Sequence, residues 1–138
     1  MTVTPTENEA IVAACRAAAE QLLYEYAACA DELDAHGVAC VLGDARLTSH
    51  GGVELSGAEA IERHLTGLFA TAQRSRHLIT NIRLSVDGTS ASTICLYNKW
   101  VLNPDPQLDA AGRYHSQFEL RDGQWRFAEH RVENMWRR

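Results

Sequence analysis

The chain divides into a helical first third and a strand-rich remainder, and this order constrains the fold more than any other feature. Residues 8–35 contain neither Gly nor Pro and are dominated by strong helix formers, which predicts one long helix. Ile11, Ala14, Ala18, Leu22 and Tyr26 recur at helical spacing and predict its apolar face. Gly37 predicts a break, and "VACVLG" (38–43) a short second helix. "ARLTSHGGVELSG" (45–57) predicts a hairpin turning at Gly51-Gly52. In "SGAEAIERHLTGLFATA" (56–72), Ser56 and Glu59 have capping-box spacing, with Ile61, Leu65 and Leu68 on one face of the helix that follows.

Beyond residue 76 the pattern changes to alternation. Strands are expected over 77–86, 90–102, 112–121 and 124–135, with a Pro-containing loop at 103–107. Asp87-Gly88 and Asp122-Gly123 sit between alternating runs, where such pairs form tight hairpin turns. Helices followed by a run of antiparallel strands predict an α+β fold with the helices on one face of a sheet. No repeat or flexible linker interrupts the chain. Its 138 residues are read as a tail over 1–7 and one domain over 8–138.

Composition narrows the function classes. A net charge of −5 with no basic stripe argues against a nucleic-acid partner. No run approaches the ~18 apolar residues of a membrane span. "MTVTPTENEA" lacks the basic and apolar regions of a signal peptide. The four cysteines form no C-x-x-C pair and no zinc-ligand spacing, and three lie among Ala, Val and Leu as small buried hydrophobes, so a reduced, cytoplasmic compartment is expected. Lys99 is the only lysine; the other cations are arginines.

Several residues carry candidate chemistry. His77 opens a strand in "SRHLITN" (75–81), and imidazole, with an ordinary pKa near ~6.5, is a usable base at neutral pH. It needs a group to hold its far nitrogen protonated, a task suited to a carboxylate. Asp31 and Asp34 are carboxylates near the end of the first helix, where the ordinary alternative is a solvated face. Tyr24 and Tyr26 either pack in the core or line a pocket. Along "GRYHSQFEL", Tyr114, Ser116 and Phe118 share one face of a strand while His115 and Gln117 share the other. If the first set faces a cavity, Tyr114 or Ser116 can hydrogen-bond a substrate oxygen. Trp100 is a candidate for an apolar pocket wall, and Asn81 and Arg131 for supporting polar groups; each also has an ordinary packing or surface reading. His36, His50, His64 and His130 show no metal-ligand spacing, which leaves only His115 with His130 on neighbouring strands as a conceivable pair, and no metal is assigned. The absence of G-x-G-x-x-G and of a P-loop leads us to expect no nucleotide cofactor.

Four segments, "YEYAACADELD" (24–34), "RHLITN" (76–81), "GRYHSQFELRDGQWRF" (112–127) and "HRVENMW" (130–136), occur in an order that resembles the SnoaL-like branch of the nuclear-transport-factor-2-like superfamily. The resemblance runs from about residue 8 to 136. It implies a cone-shaped α+β barrel in which a curved, mostly antiparallel sheet wraps a long N-terminal helix. Within that branch the segments look most like scytalone dehydratase, bile-acid 7α-dehydratase and hexachlorocyclohexane dehydrochlorinase. This implies that Asp31 orients His77 and that His77 removes a proton from the substrate. Tyr26 matches a tyrosine five residues before the aspartate of the bile-acid enzyme, and is an expected donor to a developing oxyanion. Five residues turn a helix by about 140° net, so Tyr26 and Asp31 are not expected on one narrow stripe. Many relatives carry an acid or amide where Ser116 stands, so the resemblance gives Ser116 no acid–base role.

The implied activity is cofactor-independent: dehydration or another elimination, isomerisation or cyclisation of a hydrophobic polyketide-, steroid- or terpenoid-like substrate. Relatives that use the aspartate alone as base keep a cyclase open. The same fold also serves as a non-catalytic ligand-binding module or structural subunit. Assembly as a homodimer or homotrimer through the exposed face of the sheet is expected from the resemblance.

Overall fold

The computed structural model describes residues 4–138. Residues 1–3 of the expected tail lie outside the described residues, while Thr6 and Glu7 belong to the first helix and its cap. Helix α1 (Glu7–Asp31) opens with a capping box: Thr6 Oγ1 accepts from the Glu9 backbone N–H, and Glu9 accepts from the Thr6 N–H. The helix ends four residues earlier than its composition predicts. Leu33 adopts a left-handed conformation (φ 59°), and the Asp34 N–H reaches back to the Cys29 carbonyl at 2.9 Å. Asp34 then caps α2 (Ala35–Leu42), its Oδ1 accepting from the Gly37 N–H at 2.8 Å. Gly37 is therefore not a break but part of the first turn of α2. A Cβ there would stand 2.4 Å from Asp34 Oδ2 and 2.8 Å from Cys29 Sγ, so a larger residue would have to displace the capping carboxylate and the thiol.

The buried row of α1 is Cys15, Ala19, Leu23, Ala27 and Asp31, an unbroken i, i+4 series. The expected face lies one residue out of phase, and Ile11 at its start is exposed. Alanine carries little hydrophobic contrast, so two adjacent stripes of an Ala-rich helix read alike. Here the shift matters, because it puts a carboxylate at the end of the buried row.

Strands β1 (Arg46–Thr48) and β2 (Glu54–Ser56) form the expected hairpin. Helix α3 (Ala58–Phe69) follows, but Ser56 does not cap it. Ser56 is the last residue of β2, paired with Arg46, and the cap position falls to Gly57 (φ 86°, ψ 156°), whose N–H bonds the Ala45 carbonyl. The remaining strands are long: β3 (Ser75–Asp87), β4 (Ser90–Val101), β5 (Gln107–Arg121) and β6 (Gln124–Arg137). The expected loop is shorter than 103–107, because pairing of β5 with β4 already begins at Gln107 opposite Val101.

The six strands make one sheet in the order β2-β1-β6-β5-β4-β3, with only β1 and β6 parallel. Its concave face wraps α1, and α2 and α3 pack together at one end. Leu23, Val38, Leu42, Ile61, Phe118 and Phe127 form the heart of the core. Fully burying each such side chain stabilises the fold by about 1.5–3 kcal/mol. Bulges at Asp109 of β5 and at Ala128 and Met135 of β6 decide which side chains face inward, and one in β3 falls between Thr80 and Arg83.

Candidate active site

Asp31, at the end of the buried row of α1, meets the first residues of β3. Its Oδ1 accepts three hydrogen bonds: from Ser75 Oγ at 3.1 Å, from the His77 backbone N–H at 2.9 Å and from His77 Nδ1–H at 2.6 Å. The two side chains are only 11% and 12% exposed. A carboxylate held in this way can only accept, so Nδ1 is the protonated nitrogen and Nε2 keeps its lone pair. His77 lines a cavity of about 120 Å³ between α1, α3 and the concave face of the sheet, open to solvent on one side. The pair thus stands on the cavity wall.

Three tyrosines form the facing wall. Tyr97 and Tyr114 stack with ring centroids 4.4 Å apart and planes 10° from parallel, and Tyr26 meets Tyr114 edge-on at 5.6 Å. All three line the cavity. Burial pushes the Tyr26 phenol up, with Tyr97 adding to the effect. Burial also raises Tyr114, helped by Tyr26, Tyr97, Cys95 and Asp31. Tyr97 is raised by burial and lowered by Arg137. These phenols remain neutral donors at physiological pH. The apolar lining comes from Leu33, Val38, Leu47, Leu65 and Phe69.

Of the residues singled out in the sequence, the structure brings Asp31, His77, Tyr26 and Tyr114 together. Others lie elsewhere. Tyr24 is 47% exposed, on the solvent side of α1, because the buried row passes through Leu23 and Ala27. Trp100 takes the opposite phase of β4 from Tyr97 and Lys99, and so points to the convex face. Asn81 is exposed at the β3 bulge with φ 55°, and Arg131 is exposed on the convex side of β6. Phe118 faces inward, as its alternation with Gln117 requires, but packs on Phe127 beneath α1, away from the cavity. Ser116 also faces inward, but its hydroxyl shares a 2.8 Å hydrogen bond with His130 Nδ1 and does not line the cavity.

His130 is completely buried, packed against Tyr26, Tyr114 and Phe127, and burial pushes its imidazole down to about 3. It is a neutral core residue. Its Nε2 has no protein partner among the described residues. His115 lies on the other face of the sheet, so the two histidines cannot share a metal. Sequence reasoning also missed Ser75, Tyr97, Lys99, Asn134 and Arg137 as site residues. Tyr97 and Lys99 are in phase with Cys95 along β4, a signal that alternation carries without saying which phase is inward.

A SnoaL-like domain model matches residues 12–131. The chain belongs to the SnoaL-like domain family. Solved structures of this fold type include Rv3472 from Mycobacterium tuberculosis, a protein of unknown function: TM-score 0.80, 21% identity, 96% of this chain and 78% of that one. An NTF2-like protein with a cystatin-like fold from Novosphingobium aromaticivorans gives a TM-score of 0.75 at 16% identity, over 96% and 92% of the two chains. Hexachlorocyclohexane dehydrochlorinase LinA-type3 from Novosphingobium barchaimii gives 0.78 at 23% identity, over 91% and 89%. At these identities the likeness is one of fold. A search of curated proteins gives no match. No helix among the described residues is long and apolar enough to cross a membrane.

Proposed function

We propose that this SnoaL-like protein is a cofactor-independent lyase or isomerase in which His77 takes a proton from carbon and Asp31 holds and stabilises the resulting imidazolium. The observation that carries this reading is the 2.6 Å Asp31–His77 bond, with His77 on the wall of a largely apolar cavity that opens to solvent on one side. Proton removal next to a carbonyl builds negative charge on oxygen, and a neutral phenol aimed at that oxygen stabilises it most where water is excluded. Tyr26 and Tyr114 are the donors. The imidazolium then returns its proton to a departing hydroxide, or to another carbon of the substrate, giving elimination or isomerisation respectively. The dehydrochlorinase of similar fold lends this chemistry support, since its name describes an elimination.

The cavity bears on substrate size. An engineered 150 Å³ apolar cavity is filled by benzene. At about 120 Å³, this one takes a single small ring or a short branched chain around the reacting carbon. A polycyclic substrate fits only by inserting one end. A non-catalytic binding role would leave the buried dyad without a use, at the cost of desolvating a carboxylate.

The test is deuterium wash-in from D2O, followed by proton NMR, over a panel of small cyclic ketones and β-substituted acids. Exchange or elimination should occur for some members and disappear in His77→Asn. Turnover that survives intact in His77→Asn would remove histidine as the base and leave Asp31. We further propose that the convex face, with Leu78 and Leu96 exposed on it, is covered by a second copy. Analytical ultracentrifugation of Leu96→Glu against the parent chain should then show loss of a dimer or trimer.

A further inference from the structure

The register of the sheet aligns four residues of separate strands in one row. His77 of β3 pairs with Lys99 of β4, Lys99 with Ala110 of β5, and Ala110 with Arg137 of β6. All four line the cavity. Strands stand about 4.8 Å apart, so the Cα atoms of Lys99 and Arg137 are separated by about 10 Å with Ala110 between them. The small Ala110 side chain leaves the space above it open to both cations.

The row is not an accident of simple alternation. Between Asn134 and Trp136 the register of β6 against β5 shifts by one residue, which turns both Asn134 and Arg137 to the concave side. Gly112 permits this shift, since a Cβ there would lie 2.0 Å from the Glu133 carbonyl oxygen. A second bulge, at Asp109 of β5 opposite Lys99 and Trp100, lies beside the other cation.

The charges around the row are unbalanced. Asp109 is shared between Lys99 and Arg138, at 3.4 Å from each. Arg137 has no ion pair among the described residues, and Asn134 Oδ1 is buried in the cavity wall without a partner. His50, also on the wall, is held below its ordinary range by burial first and then by Arg137, Lys99 and His64, so it adds a neutral ring and no negative charge.

We propose that the substrate is a small organic carboxylate, whose carboxylate group sits over Ala110 between Lys99 and Arg137 while the rest of the molecule extends along the row toward His77. The proposal rests on the reading of His77 as base only for its reaction; the anion site stands on the row itself. Lys99 serves as a point charge, and Arg137 offers a planar fork that matches a carboxylate. The unpartnered Asn134 Oδ1 can only accept, so it suits a hydroxyl or N–H on the uncharged part of the substrate and not the carboxylate. Anchoring the anion at this end of the row leaves the uncharged part of the molecule against the tyrosine wall and the imidazole. The substrate class is thus a one-ring or short branched acid with an ionisable C–H or a leaving group in its uncharged part.

The experiment is a titration of the full chain with benzoate and with its neutral counterpart benzamide, by calorimetry and by histidine and arginine side-chain NMR. Benzoate should bind at least ~10-fold more tightly, a difference of about 1.4 kcal/mol. Arg137→Gln and Lys99→Gln should each erase most of that preference, and Lys99→Arg should retain it. His77→Asn should leave benzoate binding in place while abolishing deuterium wash-in, which separates a failure of the anion site from a failure of the base. Equal affinity for benzoate and benzamide would overturn the proposal. So would a preference that survives Arg137→Gln, or inorganic phosphate binding as tightly as benzoate. Both replaced side chains are partly or wholly exposed, and melting temperatures within a few degrees of the parent will show that the variants fold.

Discussion

Two histidine–carboxylate pairs of similar length, one through Nδ1 and one through Nε2, lie on opposite faces of the sheet. On the concave face His77 meets Asp31 at 2.6 Å; on the convex face His115 meets Glu133 at 2.8 Å. The inner pair is 11% and 12% exposed, the outer pair 25% and 33%. Glu133 also takes a bond from Arg113 at 3.2 Å, so its charge is already neutralised by a permanent cation. Asp31 has only neutral donors besides its histidine. An imidazolium formed at His77 would therefore be the sole cation bonded to Asp31, whereas one formed at His115 would compete with a guanidinium. The difference teaches that a hydrogen-bonded pair is not itself a catalytic device. What matters is where the remaining nitrogen points and what else the carboxylate serves.

Substitutions at matched positions test this contrast. The largest effect is expected from His77→Asn, which should lower proton exchange or turnover by roughly 10²–10⁴-fold, the range for loss of a general base. His115→Asn should leave the rate within about twofold, the rate effect being read from parallel NMR progress curves. Comparable losses at both positions would erase the distinction. Next, Asp31→Asn should cost about 10²-fold or more by releasing the imidazole tautomer. Glu133→Gln should change the rate little. Ser75→Ala sharpens the inner half of the comparison: losing one neutral hydrogen bond to Asp31 should reduce the rate about fivefold, equivalent to about 1 kcal/mol.

Gly112 joins the two regions: it packs on the carbonyl of the outward-facing Glu133, and the β6 shift beside it brings Arg137 to the concave face with Asn134. Gly112→Ala should destabilise the fold by about 2 kcal/mol, because the clash is with backbone and no side chain can yield. Differential scanning calorimetry will measure it, and an unchanged melting temperature would mean that the shift does not need glycine. The smallest effect concerns acid. The Glu133 carboxyl is held below its ordinary range, mainly by the His115 hydrogen bond and further by Arg113. A carboxyl lowered on folding adds stability above its unfolded pKa, near ~4.3, and loses it as pH falls through the folded value. In Glu133→Gln the melting temperature should accordingly fall less steeply than in the parent below about pH 4, by a small amount because the pair is partly solvated.

Legibility in the sequence followed the range of the interactions. The long helix, both Asp-Gly hairpins and the α+β order could be read because helix propensity and tight-turn chemistry act over a few residues. Asp31 and His77 could be nominated because each residue type suits its task and stands where the SnoaL-like pattern has it. The phase of α1 could not be read, since alanines give adjacent stripes equal weight. Nor could the inward face of β4, where Ile94, Leu96 and Trp100 on the convex side are more apolar than Tyr97 and Lys99 on the concave side. Trp100 was the natural candidate for a pocket wall and takes the wrong phase for one.

What the sequence by itself determined is therefore the inventory of elements and the nomination of Asp31 and His77 as candidates. Only the tertiary structure decided that Ser75 joins them, that His130 is a neutral core residue, and that His77, Lys99, Ala110 and Arg137 form one row. The physical reason is that a strand's side-chain period of two leaves its face undetermined, and each bulge reverses the phase beyond it. Those phases are set by the burial of the whole sheet against α1, a contact between segments distant in the chain.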